Sequence, residues 1–301
     1  MKIYDLIIIG VGPAGISAGI YAKNFGLDCL IIGEEKGGLI NAAYKVENYP
    51  GTFGVSGKEL VKKFIAHQKH LKIPFKKEKA EKIIQQKDGF KISTNKDSHQ
   101  ARTLILAFGT QFRKLIIKNI EKFEGKGVSY RSDDNAFLFK NRSVAVIGGA
   151  NAAAMSAIML SEKAKKVYVI YRKEKLRADA VWLDRICKAK NIEVIYGKNV
   201  VELKGKDRLE KVILDDRRGL GVSGLLVEAG CVPNTYLIHD LGIITDERGY
   251  IKVGKDQSTN VTGIFAAGDI TTGSNEFRQI ITAVSEGAIA ALGILNYLNK
   301  K

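Results

Sequence analysis

Residues 4–35, YDLIIIGVGPAGISAGIYAKNFGLDCLIIGEE, contain a whole strand–turn–helix–strand unit. The run YDLIII is short and apolar and breaks at GVGPAG. An apolar-periodic stretch follows, closed by Gly26, and CLIIG then repeats the buried-strand pattern. Gly10, Gly12 and Gly15 have the G-x-G-x-x-G spacing. The first glycine permits the tight turn, the second lets the backbone approach a pyrophosphate, and the third allows close packing of the helix. The helix N-terminus then faces the phosphates. Glu34 and Glu35 stand where an acid is expected to accept from a ribose hydroxyl. A glycine pattern alone says little, but this one comes with its strand, helix, second strand and acid.

The arrangement recurs in SVAVIGGANAAAMSAIMLSEKAKKVYVIYRK. It predicts a strand at 143–147, a helix to about 164 and a strand at 167–171. Gly148 and Gly149 open the turn, and Ala150 occupies the place of the second glycine. A methyl group there crowds a pyrophosphate, so affinity should suffer. Asn151 and Ala152 follow, neither of them acidic or hydroxylic. Arg172, Lys173 and Arg177 come directly after the second strand, and cations there suit a 2′-phosphate. The alternative is that they belong to a generally lysine-rich surface. Two such units in one chain imply two nucleotides, normally a flavin and the nicotinamide that feeds it.

The rest of the composition narrows the class by exclusion. A length of 301 residues suits two domains. Cys29, Cys187 and Cys231 are too few and too scattered for a disulfide framework or a metal site. His67 and His70 could share a helix face, but zinc needs more ligands than that. The apolar runs are shorter than the roughly 20 residues of a membrane span. The N-terminal run enters a glycine turn where a signal peptide would have its cleavage site. The expectation is a cytoplasmic protein with no membrane partner. Net charge is +16, which attracts acidic partners. With no arginine-rich tail or nucleic-acid module, a solvated surface accounts for it and no nucleic acid is expected.

Residues 90–111 read as β-rich, ending at Gly109. Residues 192–216, IEVIYGKNVVELKGKDRLEKVILDD, look like a hairpin that closes the second domain. VTGIFAAGDIT is a buried strand leading to Gly268 and Asp269, and the last segment is an amphipathic helix. The expected domains are 1–112 plus 242–301, with 113–241 inserted between them.

Together GVGPAGISAGIYA, EKGGLI, VENYPG, GCVPNT, GIFAAGD and FRQIITA resemble the low-molecular-weight thioredoxin reductases, and the similarity runs from residue 3 to about 298. The resemblance implies an α/β fold of two Rossmann-like domains, a three-layer FAD domain with an inserted NAD(P)H domain, and usually a homodimer. It implies that Gly10, Gly12, Ala14 and Gly15 hold FAD, with Glu34 or Glu35 on the ribose and Gly38, Asn48 and Gly109 along the cofactor. Gly268 and Asp269 would lie at the ribityl chain, and Arg278, Gln279 and Ile280 beside the flavin ring. Gly148, Gly149, Ala150, Asn151, Arg172, Lys173 and Arg177 would hold NAD(P)H, with NADPH favoured by the three cations.

The resemblance also implies a Cys-x-x-Cys-Asp motif, and here the chain departs from it. Those positions are Arg131, Ser132, Asp133, Asp134 and Asn135. Disulfide exchange needs a thiolate, so thioredoxin-disulfide reductase activity is not expected. Arg131 and Asp134 are three residues apart, and an ion pair or a helix N-cap is the simplest account of them. Cys231 lacks a resolving partner, which favours a small buried hydrophobe. The expected activity is hydride transfer from NAD(P)H to FAD, then electron delivery to an external acceptor, such as a small molecule, oxygen, a metal chelate or an acidic electron-carrier protein. The alternatives are a ferredoxin- or flavodoxin-linked flavoprotein that uses NAD(P)H poorly, and a non-catalytic flavin-binding sensor or scaffold.

Overall fold

In a computed structural model, which describes residues 2–130 and 139–300, the chain divides into two units. One comprises Met1–Asn41, Val46–Gln111 and Val232–Lys301, the other Ala42–Lys45 and Phe112–Cys231. Arg131 and Asp134 lie outside the described residues.

The first unit is built on a sheet whose centre is strand Ile3–Ile9. Cys29–Gly33 pairs with it in parallel on one side and Ser98–Leu106 on the other. Phe75–Lys77 extends the sheet past Cys29–Gly33. Past the other side, Ile264–Ala266 pairs in parallel with Leu104–Leu106, while Gly89–Thr94 and Ala80–Gln86 continue antiparallel. Toward their carboxyl ends the central strands are continuously apolar (Leu6–Ile9, Leu30–Ile32, Leu104–Leu106), because both faces are covered there. Ile8, Ile31 and Ile105 pack against Ala18, Ala22 and Ala290 on the helical face, and Ile7, Ile32 and Leu104 pack on the opposite face. All six are fully buried, which stabilises the fold by about 1.5–3 kcal/mol per side chain.

Register matters more for function than the strand count. Ile9, Ile32, Leu106 and Ala266 lie in one row. The residues that follow, Gly10, Gly33, Ala107 and Ala267, therefore lie at the same edge of the sheet. Helix Pro13–Asn24 starts there with Gly12 as its N-cap and Pro13 in the first turn, where a missing N–H does no harm. It ends at Phe25, with Gly26 left-handed beyond it (φ +76°). Helix Ile280–Asn299 packs across it so closely that a Cβ on Gly287 would fall 2.1 Å from the Ala14 carbonyl oxygen.

The second unit has an all-parallel sheet in the order Ile192–Tyr196, Lys166–Tyr171, Ser143–Ile147, Gly224–Val227, Val128–Ser129. Helix Asn151–Ser161 follows the central strand, ending three residues before the expected 164. Ile192–Tyr196 was expected in a hairpin but joins this parallel sheet. The hairpin is made by Val200–Lys204 with Lys211–Leu214, and Gly219–Gly221 adds a third strand. Period-two patterning marks a strand but does not name its neighbour.

The expected domain end at 241 also shifts. Residues 232–241 group with the first unit, because Leu237, Ile238 and Leu241 pack with Ile7, Ile9 and Leu30. Among the described helices one, Ile280–Asn299, is long and apolar enough to cross a membrane by composition. Its apolarity has a local cause: Ala283, Ala290, Ala291 and Ile294 are core residues against Ala14 and Ala18.

Candidate functional site: two dinucleotide cradles

Two of the three glycines of the first turn admit no side chain. Gly10 has φ +118°, and a Cβ on it would lie 2.1 Å from the Ala107 carbonyl oxygen; one on Gly15 would lie 2.0 Å from the Gly10 carbonyl oxygen. Gly12, by contrast, faces open space, with nothing within 4 Å of a Cβ. The glycines at 10 and 15 hold the turn shut, while the one at 12 leaves a recess at the helix start. No side chain caps this helix and no acid sits in its first turn. Its first backbone bond runs from the Ile16 N–H to the Gly12 carbonyl, so the amides of Ala14 and Gly15 remain for an anion.

The other residues expected at a flavin take these positions. Gly38 approaches the turn, a Cβ on it lying 3.8 Å from the Gly12 Cα. Glu34 and Glu35 directly follow strand Cys29–Gly33 and are exposed. Glu35 accepts from Asn41 Nδ2 at 3.3 Å, whereas the Glu34 carboxylate takes no hydrogen bond from the described residues. Gly109 is left-handed (φ +64°) with open space beyond it. Asn48 donates to Gln279 Oε1 at 3.0 Å, and Gln279 caps the helix that begins at Ile280.

Asp269 is the most telling side chain. It is half-buried, its carboxylate takes no hydrogen bond among the described residues, and burial pushes its pKa up to about 6. Nearby Arg278 pulls that value down and Glu286 adds to the rise. Arg278 donates to the Asp269 and Thr271 carbonyls at 3.3 Å and stacks 3.6 Å from the centre of the Tyr250 ring. A half-buried carboxylate without a donor among the described residues is an acceptor left for solvent or for a ligand hydroxyl.

The loop carrying Asp269 is shaped by Glu286, which sequence reading passed over. Its buried carboxylate accepts from the Gly268 N–H (2.7 Å), Thr271 Oγ1 (3.0 Å) and Ser274 Oγ (2.6 Å). The available sign was a lone acid among the apolar residues of ITAVSEGAIAALG.

In the second unit, Gly148 is closed as Gly10 is, a Cβ on it lying 2.4 Å from the Glu228 carbonyl oxygen. The Tyr171 ring lies over Gly149. Ala150 is the N-cap of helix Asn151–Ser161 and is exposed; its methyl occupies what is open space at Gly12. Two expected contacts are redirected. Asn151 exchanges two 2.7 Å hydrogen bonds with Asp179, so its side chain ties down a loop and is not left to a ligand. Arg177 donates its Nε to Tyr171 Oη at 2.9 Å, bracing the ring over the turn. Neither Asp179 nor Tyr171 could be paired with these residues from spacing alone. Arg172 and Lys173 are exposed, and their side chains have no partner among the described residues.

The three cysteines stand in different surroundings. Cys29 is buried and its thiol pushed up to about 11 by burial; Cys187 is exposed, and Cys231, expected as a small buried hydrophobe, is half-buried. His67 and His70 are exposed on helix Gly57–His70. No cluster of metal-binding side chains occurs among the described residues.

The family model described as Pyridine nucleotide-disulphide oxidoreductase matches residues 4–287. Thioredoxin reductase of Listeria innocua is 34% identical over 307 aligned positions, covering 99% of this chain and 95% of that one. The crystal structure of Lactococcus lactis thioredoxin reductase (FR conformation) superposes with a TM-score of 0.94 at 32% identity, covering 99% and 100% of the two chains. A ferredoxin-flavin thioredoxin reductase from Clostridium acetobutylicum matches at 0.55 and 32%, covering 99% of both.

Proposed function

This chain belongs to the pyridine nucleotide-disulphide oxidoreductase family, and from that premise we propose that it is an FAD-containing oxidoreductase that takes hydride from NADPH and passes electrons directly to an external acceptor. The observation that carries the reading is the pair of glycine cradles retained in a chain whose residues 131–135 contain no sulfur. When bound, the flavin supplies the redox centre, accepting hydride and releasing electrons. The described residues of the first cradle fit it. The recess at Gly12 with the Ala14 and Gly15 amides suits a pyrophosphate, Glu34 a ribose, and the unpartnered Asp269 carboxylate a polyol chain.

In the second cradle, Arg172 and Lys173 stand at the end of strand Lys166–Tyr171 with their charges unpaired among the described residues, which suits a 2′-phosphate and favours NADPH over NADH. Arg177 acts through Tyr171 on the turn. Hydride transfer asks these residues only to bind and orient, so the missing dithiol does not forbid it. The reading includes a cytoplasmic homodimer; Ile281, Ile289 and Leu292 leave apolar surface exposed on one side of the last helix.

One second reading has its own support. Ala150 narrows the nicotinamide cradle, and +16 of net charge suits an acidic carrier protein as electron donor. A relative in this fold is a ferredoxin-flavin thioredoxin reductase. Anaerobic rapid mixing separates these. Fast flavin bleaching by NADPH supports the first reading, and bleaching only by reduced ferredoxin or flavodoxin supports the second. Bleaching by neither leaves a flavin-binding sensor or scaffold.

A further inference from the structure

Strand ends in the second unit place one acid beside the glycine turn. Ile147 is level with Ile170 on one side and Val227 on the other, so Gly148 is flanked by Tyr171 and Glu228. The strand order reverses here: Lys166–Tyr171 and Ile192–Tyr196 lie to one side of Ser143–Ile147, and Gly224–Val227 to the other. In such sheets the ligand lies across the carboxyl ends at this switch point. With the 2′-phosphate at Arg172 and the pyrophosphate at the turn, the other half of a dinucleotide runs toward Glu228. We propose that Glu228 stands at the nicotinamide end of the site and makes it prefer the oxidised, cationic ring to the reduced, neutral one. The inference rests on the dinucleotide reading above.

Glu228 is held firmly. Its N–H donates to the Ile147 carbonyl at 2.8 Å, and Oε1 accepts from Ser156 Oγ at 2.8 Å. The second carboxylate oxygen has no partner among the described residues, and the residue is half-buried, hence open on one side. From helix Asn151–Ser161 the group facing it is the Ser156 hydroxyl. Its backbone meets Ile147 and the Gly148 turn, and strand Val128–Ser129, which borders Gly224–Val227 on the other side, carries no charged side chain. No described charged side chain pairs with it. Burial pushes its pKa up to about 7, with Ser156 opposing the rise, so its charge changes within the physiological range.

The sign follows from linkage. A cation beside the carboxylate favours the ionised form, typically by about 1–3 pKa units at 4–6 Å. Oxidised nicotinamide should therefore bind more tightly as pH rises through 7. A neutral ring only dries the carboxylate further, so its binding should weaken over the same interval.

Three probes test this on the 301-residue chain: NADP+, the redox-inert neutral-ring analogue 1,4,5,6-tetrahydro-NADPH, and nicotinamide-free 2′,5′-ADP. The 2′-phosphate itself titrates near pH 6, but it is common to all three and cancels in ratios. The ratio of Kd for the neutral-ring analogue to Kd for NADP+ should rise about tenfold between about pH 6 and pH 8, the lower end of the expected coupling. In Glu228→Gln and in Glu228→Ala the ratio should be flat, with 2′,5′-ADP affinity unchanged. A pH-independent ratio in the native protein, or an equal rise in both variants, overturns the role of Glu228 while the dinucleotide site stands. Failure of all three probes to bind removes the dinucleotide reading and this inference with it.

Discussion

Arg172 and Arg177 were equivalent as sequence, two cations after a strand, yet their surroundings give them different work. Arg172 has no partner among the described residues, while Arg177 spends its Nε on Tyr171. Arg172→Ala should weaken NADPH by about 1.5–3 kcal/mol, the worth of a charge-assisted bond, and leave NADH nearly untouched. Arg177→Ala should weaken both cofactors alike, because it loosens the ring over the shared turn. Fluorescence titration with the two cofactors reads the difference, and equal losses at Arg172 would return that residue to the general surface charge. Asp269 makes a pH-dependent case. Its folded pKa of about 6 lies above the ordinary carboxylate value, so the folded apoprotein binds a proton more tightly than the unfolded chain. The charge therefore destabilises the apoprotein above pH 6, progressively less from pH 6 to 4, and not at all below. Asp269→Asn should raise the Tm of the apoprotein at pH 7.5 by about 2–4 °C per kcal/mol recovered, give no gain at pH 4, and weaken flavin retention.

The crossing of helices Pro13–Asn24 and Ile280–Asn299 decides where the glycine turn points. Gly287 lets the two backbones meet, and a Cβ there would lie 2.1 Å from the Ala14 carbonyl oxygen. Alanine improves helix propensity by up to about 1 kcal/mol, but overpacking costs about 1–3 kcal/mol, and backbone has no rotamer with which to yield. Gly287→Ala should thus be net destabilising in urea unfolding and should release flavin, since Ala14 and Gly15 belong to the displaced turn. Unchanged stability with full flavin content would show that the helices can separate without moving the site. At the same scale, Ile192–Tyr196 carried a clear strand pattern, while its pairing with Lys166–Tyr171 depended on the rest of the sheet.

Net charge of +16 acts on the molecule as a whole. A field of that sign steers acidic carriers toward the surface and is screened by salt. The Debye length falls from about 30 Å at 0.01 M to under about 5 Å at 0.5 M. Electron exchange with an acidic carrier protein should slow by about an order of magnitude or more over that range, while reduction of a neutral quinone hardly changes. A salt-independent rate with every carrier tested would leave the small-acceptor reductase as the surviving version.

The local pattern of residues 4–35 and 143–173 determined both nucleotide-binding units, because strand, turn and helix preferences there act within about 30 residues. The absent sulfur at residues 131–135 was likewise a matter of composition alone. Tertiary structure decided which polar groups were already engaged. Asn151 belongs to Asp179 and Arg177 to Tyr171, whereas Asp269 and one oxygen of Glu228 remain without donors among the described residues. Residues 232–241 follow the same logic, joining the first unit through side chains that pack on Ile7 and Leu30. Hydrogen bonds and burial join residues distant in sequence, so whether a side chain is free for a ligand is settled only when the strands are in register.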